Sequence, residues 1–186
     1  MKISVLGTGR VGRTVAARLA ELGHEVTIGT RDPQATLART EPDAMGTDDR
    51  AGRSARGHRR PRPDERPRLL RGFPPWDHER PERLSEQVQA AAPHARVVKA
   101  LNTLTVSLMA HPESLPEPTT VFVAGDDEDA RRVVSSLLGE LGHDDVVDLG
   151  DLTGARALEL WMPLWLRVMI SLGTADFNIR LVRPGT

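Results

Sequence analysis

Gly7-Thr8-Gly9-Arg10-Val11-Gly12 sets three glycines at the first, third and sixth places of one short run. That spacing suits phosphate chemistry. The first glycine permits a tight turn, the second lets backbone N–H groups approach a pyrophosphate, and the third lets a helix pack close to a strand. The motif carries weight only when a strand enters it and a helix leaves it. Ile3-Ser4-Val5-Leu6 is a short run suited to a buried strand, and Val11, Val15, Leu19 and Leu22 recur behind the glycines at helical spacing. Gly23 stands where a left-handed helix C-cap belongs, and His24 to Gly29 alternates like a return strand. The expected unit is strand–helix–strand, with the helix start aimed at a phosphate. The bland alternative is a glycine turn with no ligand.

The tip of the second strand selects among dinucleotides. An Asp or Glu there would bind the ribose 2′-hydroxyl of NAD. This chain has Thr30 and Arg31 instead, a hydroxyl donor and a two-pronged planar cation suited to a 2′-phosphate. The expected cofactor is NADP(H), against an Arg31 that makes only solvent contacts. Asp32 falls one place late, and Pro33 makes it the start of a turn.

Composition removes several other chemistries. The chain has 186 residues, 39% apolar and 27% charged, a soluble globular balance. It has no cysteine, hence no disulfide, thiolate zinc site or cysteine nucleophile, and no tyrosine acid. The six histidines are scattered without metal-ligand spacing. The longest apolar run, Leu158 to Leu172, is interrupted by Glu159, Pro163 and Arg167 and is too short to span a bilayer. The chain opens directly into a strand, with no leader, and a cytoplasmic protein is expected.

The net charge of −1 hides a basic stretch. Asp49 to Arg71 holds nine arginines, three acids and three prolines, with no helical or strand periodicity, and reads as irregular. Phosphate neutralisation on a nucleic acid is one reading of it. No aromatic residue is interleaved for base stacking, however, and the rest of the chain is acidic, so nucleic acid is not the favoured partner.

Order returns beyond it. Leu84, Val88 and Ala91 fall on one helical face, with Ser85, Glu86 and Gln87 outside. Ala95 to Leu101 reads as a strand ending at Asn102-Thr103, and Thr119 to Ala124 as another. The acids of Gly125-Asp126-Asp127-Glu128-Asp129 suit the start of a helix through Val133, Val134, Leu137 and Leu141 better than a metal. Val146 to Leu149 closes a second strand–helix–strand unit. A last helix, Gly154 to Leu172 with a kink at Pro163, has almost no polar face, and Trp161 and Trp165 share one side of it. It needs cover from the domain, from a second subunit in a homodimer, or from a flat aromatic ligand. The fold class is α/β: a Rossmann-like doubly wound parallel sheet, incomplete in the middle, with a small C-terminal helical lobe. The expected parts are a dinucleotide-binding unit at 1–46, an irregular segment at 47–71, the remainder of the Rossmann-like domain at 72–150 and the helical lobe at 151–186.

Several phrases taken together resemble the NADPH-dependent coenzyme F-420 reductase family. They are Lys2 to Gly9, Leu22 to Asp32, Val97-Val98-Lys99-Ala100-Leu101-Asn102-Thr103, Val123 to Asp127, Pro163 to Arg167 and Phe177-Asn178-Ile179. The resemblance implies hydride transfer between NADP(H) and a 5-deazaflavin, chemistry that rests on holding two rings face to face and needs no protein nucleophile. It implies that Thr8, Gly9, Arg10 and Val11, with Gly7 and Gly12, line the pyrophosphate and that Thr30 and Arg31 meet the 2′-phosphate. It sets Lys99, Leu101 and Asn102 at a strand's carboxyl end, facing the cleft where open sheets bind ligands. A small imine reductase of the pyrroline-carboxylate reductase type is the competing enzyme reading.

One departure from that family is large. Between Gly46 and Gly72 it would have further strand–helix units, including the central strand beside the first. Here Thr47 to Arg71 stands instead, shorter than one such unit and with no strand-like run. A frameshift with a deletion is the expected origin, and translating the neighbouring reading frames tests it: no family-like peptide in either frame refutes it. The first strand is then expected either to pair with Arg96 to Leu101 or to become an edge. Activity is expected to be weak or absent, the limit being an inactive NADP-binding relic.

Overall fold

The computed structural model describes residues 1–30 and 84–184; Arg31, Asp32, Pro33 and the arginine-rich stretch lie outside them. The N-terminal unit forms as its spacing predicts. β1 (Lys2–Leu6) leads through the glycines to α1 (Arg10–Glu21) and back along β2 (Glu25–Gly29). The strands are parallel, in register from Lys2 opposite Glu25 to Leu6 opposite Gly29. Gly23 ends the helix at φ 89°, the left-handed conformation that glycine adopts without a Cβ penalty.

The second half contains α2 (Leu84–Ala91), β3 (Lys99–Ala100), α3 (Val106–Ala110), a 3-10 turn (Pro112–Ser114), β4 (Thr120–Ala124), α4 (Glu128–Glu140), β5 (Asp145–Asp148) and α5 (Leu152–Leu172). Its sheet runs β3-β4-β5, and β4 and β5 are parallel around the α4 crossover. This is the expected α/β architecture, with two corrections at β3. That strand has two residues, not seven, and it runs antiparallel to β4. The shortness has a steric cause. A Cβ on Gly125 would lie 2.4 Å from the Val97 carbonyl oxygen, so Val97-Val98 crosses tightly over the end of β4 where only glycine fits. At the other end Leu101, at φ 60°, turns the chain out of the ladder.

Among the described residues β1 pairs with β2 alone and not with β3, so the direct pairing with Arg96 to Leu101 does not form. The sheets are joined through side chains. Leu19 of α1 meets Leu104, Leu108, Val121, Val123, Leu138 and Leu141 in one core cluster, with Ile3 and Val26 packed against it. A second cluster of Ala124, Leu152, Ala155 and Leu158, with Val97 and Phe122, joins α5 to the sheet. β4 alternates between them, Val121 and Val123 one way, Phe122 and Ala124 the other, as a strand buried on both faces must.

Two helix faces differ from the sequence reading. On α2, Leu84 and Val88 are exposed and Ser85 is buried, the reverse of what the apolar spacing suggests. Polar docking decides it: Glu159 of α5 accepts from both the Ser85 backbone N–H and its hydroxyl, and Arg156 pairs with Glu86. On α5, Leu152, Ala155, Leu158, Leu166 and Met169 are buried, whereas Leu160, Leu164 and Leu172 remain about half exposed. Trp165 stacks on Phe177 with ring centroids 5.4 Å apart. The segment beyond α5 is tied to β4: the Thr120 N–H donates to the Ile179 carbonyl and the Leu181 N–H to the Thr120 hydroxyl. Among the described residues no helix is long and apolar enough to cross a membrane.

Candidate functional site

The glycine turn has the geometry its spacing implies, and each glycine has a separate reason. Gly7 adopts φ 114°, and its N–H donates to the Gly29 carbonyl at 3.0 Å, tying the turn to the tip of β2. A Cβ on Gly12 would sit 2.4 Å from the Gly7 carbonyl oxygen, so the helix reaches the turn only without one. Gly9 is the N-cap of α1 in an extended conformation, and a Cβ there would meet nothing within 4 Å. Its lack of a side chain leaves the space over the helix start open.

That opening exposes donors. The first intrahelical bond runs from the Arg13 N–H to the Gly9 carbonyl, so the N–H groups of Gly9, Arg10, Val11 and Gly12 have no helical acceptor. No side chain caps them, and the first turn carries no acid. Partial positive charge, an open approach and convergent N–H groups fit a phosphate, and these residues would hold the pyrophosphate of a dinucleotide. Thr8 is half-buried within the turn, and Thr30 is exposed just beyond β2. Arg31, the other residue expected at a 2′-phosphate, lies outside the described residues.

The remaining candidates are arranged differently. Lys99, Leu101 and Asn102 were expected at the carboxyl end of a parallel strand, but β3 is antiparallel. Lys99 therefore lies opposite Ala124, the last residue of β4, while Leu101 and Asn102 run on away from that edge. The Asn102 amide Nδ2 donates to the Leu158 carbonyl of α5 at 2.7 Å, which fixes its orientation because a flipped amide would set oxygen against oxygen. Its Oδ1 is buried and meets no donor among the described residues.

At the carboxyl ends of β4 and β5 the chain closes on itself. Arg131 bridges the Asp148 carboxylate and the Gly125 carbonyl, and holds Asp148 below the usual carboxylate range. Asp127 caps α4 by accepting from the Ala130 N–H at 2.8 Å. Asp151 caps α5 at Thr153, and Asp126 reaches across from β4 to accept from the Leu152 N–H at 3.0 Å. The acid run therefore serves two helices, not one. The sequence carries no signal for the second role, because Asp126 and Leu152 are distant in the chain. A cleft beside these caps is lined by Glu86, Gln89, Asp126, Asp151, Leu152 and Thr153.

Known proteins match in the same sense. Residues 2–55 match the family described as NADP oxidoreductase coenzyme F420-dependent. An F420-dependent NADP reductase of Methanocaldococcus jannaschii is 28% identical over 120 residues, 63% of this chain; the alignment spans 49% of that relative, about half its length. The crystal structure of a provisionally named F420-dependent NADP-reductase from Arthrobacter sp. FB24 superposes with a TM-score of 0.78 at 38% identity, covering 98% of this chain and 100% of the other. With a Rossmann-like fold, an open glycine turn and this likeness along nearly its whole length, the chain belongs to the coenzyme F420-dependent NADP oxidoreductase family.

Proposed function

We propose that this protein binds NADP(H) at the glycine turn and passes hydride between it and a deazaflavin such as coenzyme F-420. The observation that carries the reading is the start of α1, uncapped and with open space over Gly9. The nicotinamide supplies the hydride; the protein binds and orients. Backbone N–H groups from Gly9 to Gly12 hold the pyrophosphate, Arg10 adds a cation beside it, and Thr30 with Arg31 selects the 2′-phosphate. The separation of β1–β2 from β3–β5 supports slower turnover than a continuous sheet would give, because ring alignment tolerates little misplacement. The reaction belongs in the cytoplasm.

Calorimetric titration with NADPH, and with NADH as control, tests the binding step. NADPH is expected to bind at least about tenfold more tightly, as a charge-assisted phosphate contact implies. Equal affinities would remove the 2′-phosphate assignment, and no binding by a folded chain would remove the whole reading. A homodimer covering Leu160, Leu164 and Leu172 of α5 belongs to the same proposal. Sedimentation equilibrium is expected to give twice the 20.4 kDa chain mass, and a monomer at all concentrations rules the dimer out.

A further inference from the structure

α5 is covered on most of its surface, and what remains exposed follows one line. Apart from Arg156, which pairs with Glu86, and Leu172 in the last turn, its exposed residues are Thr153, Ala157, Leu160, Leu164, Arg167 and Ser171. They are separated by steps of four, three, four, three and four residues. Alternating steps of three and four form the seam between two packed helices, because they keep successive side chains on one side of a helix of 3.6 residues per turn. The middle of this seam is apolar, with Leu160 and Leu164 each about half exposed. Its ends differ in charge. Thr153, at the amino end, also lines the cleft that holds Glu86, Asp126 and Asp151. Arg167, toward the carboxyl end, has no ion pair among the described residues, whereas Arg156, Arg180 and Arg183 each have an acidic partner.

These features select both the occupant and its direction. The seam has the same spacing from either end. Under a two-fold axis level with Met162, Leu160 meets the partner's Leu164, Ala157 the partner's Arg167 and Thr153 the partner's Ser171. A surface that matches itself in this way is what a second copy of the same chain requires. Parallel pairing would set Arg167 against Arg167 and bring the two acidic clefts together, like charge facing like at both ends. Antiparallel pairing carries each arginine to the acidic end of the other helix and opposes the two helix dipoles. Arg156 at that end is already neutralised by Glu86, so Asp126 and Asp151 supply the excess negative charge. Ala157 offers only a methyl group, which leaves room for the apolar stem of the arginine.

We propose that α5 packs antiparallel against α5 of a second copy, with Leu160 on the partner's Leu164 beside the two-fold axis and Arg167 at the acidic end of the partner's helix. This deepens the dimer named above and rests on it, fixing the face, the direction and the register.

Introduced thiols test the register, because the chain has no cysteine of its own. Full-length Leu160→Cys and Leu164→Cys variants are oxidised separately, and again after mixing and subunit exchange. A disulfide needs Cα atoms within about 7 Å, so the mixture is expected to give about fivefold or more linked dimer than either variant alone, joined between positions 160 and 164. Either variant linking to itself as well as the mixture does overturns the antiparallel direction. A sedimenting dimer that links in neither case overturns the face. Both of those results leave the dimer itself standing. Arg167→Glu is expected to weaken dimerisation about tenfold or more and Arg167→Lys to keep most of it, with NADPH affinity and melting temperature as controls. A dimer as tight as the wild type in Arg167→Glu overturns the charge pairing and the proposal with it. A wild type that is monomeric at all concentrations ends this proposal and the dimer above together, while the NADPH titration still decides the cofactor reading.

Discussion

Among the described residues three helices, α1, α4 and α5, start just beyond the carboxyl ends of strands, and they are finished in opposite ways. At α4, Asp127 accepts from the Ala130 N–H, with Glu128 and Asp129 following in the first turn. At α5, Asp151 caps from its own chain and Asp126 arrives from β4. At α1 the cap is Gly9, no side chain reaches back, and the first turn has no acid. The electrostatic need is the same in all three, because the first N–H groups of any helix lack intrahelical acceptors. Two helices meet it with their own carboxylates. At the third no side chain meets it. An uncapped helix start beside a turn that only glycine can make is the arrangement the proposed phosphate site requires.

Giving α1 a cap of its own should have the largest effect. Gly9→Asp fits sterically, since Gly9 already has extended dihedrals and open space at its Cβ. The new carboxylate would occupy the phosphate position and repel the cofactor, so NADPH affinity is expected to fall about 100-fold by calorimetry, with thermal stability unchanged or raised. Unchanged affinity would break the comparison outright. The reciprocal change is smaller. Asp127→Ala should cost about 1 kcal/mol of stability in urea unfolding and leave NADPH affinity as it was. A loss of affinity there would mean that the two helix starts are not independent.

The smallest effect distinguishes the closed half by pH. His143 is buried beside α4, its Nε2 donates to the Met109 carbonyl at 3.1 Å, and its Nδ1 is buried without a partner among the described residues. Burial is the main cause holding its pKa below the usual histidine value, against a smaller opposing pull from that carbonyl and from Asp144 and Glu113. The unfolded chain therefore binds the proton more readily than the folded one. This stabilisation is complete above about pH 6.5 and is lost as pH falls from there toward the folded pKa. Urea midpoints at pH 7.5 and pH 5.5 should differ less in His143→Phe than in the wild type; an equal difference would remove His143 as the cause.

What could be read along the chain was whatever depends on neighbours in sequence. The turn from Gly7 to Gly12, the Gly23 C-cap and the Asp127 cap are local, and each forms where its residues predict, whereas the last helix runs from Leu152 to Leu172 without a break at Pro163. The errors occur where a distant partner decides. Apolar spacing turned α2 the wrong way round because Glu159 holds Ser85 from another helix. β3 read as a long parallel strand because nothing in Ala95 to Leu101 records that Val97 must cross Gly125.

The sequence by itself thus determined the N-terminal half: a strand, three glycines at fixed spacing and a helix are set by steric limits that act within a few residues. Only the tertiary structure decided the other half. Among the described residues it separated the strands into two sheets, reversed β3 and set Lys99 opposite Ala124 on the α5 face. Strand direction and charge pairing are fixed by which segments share a core, and residue order alone does not encode that locally.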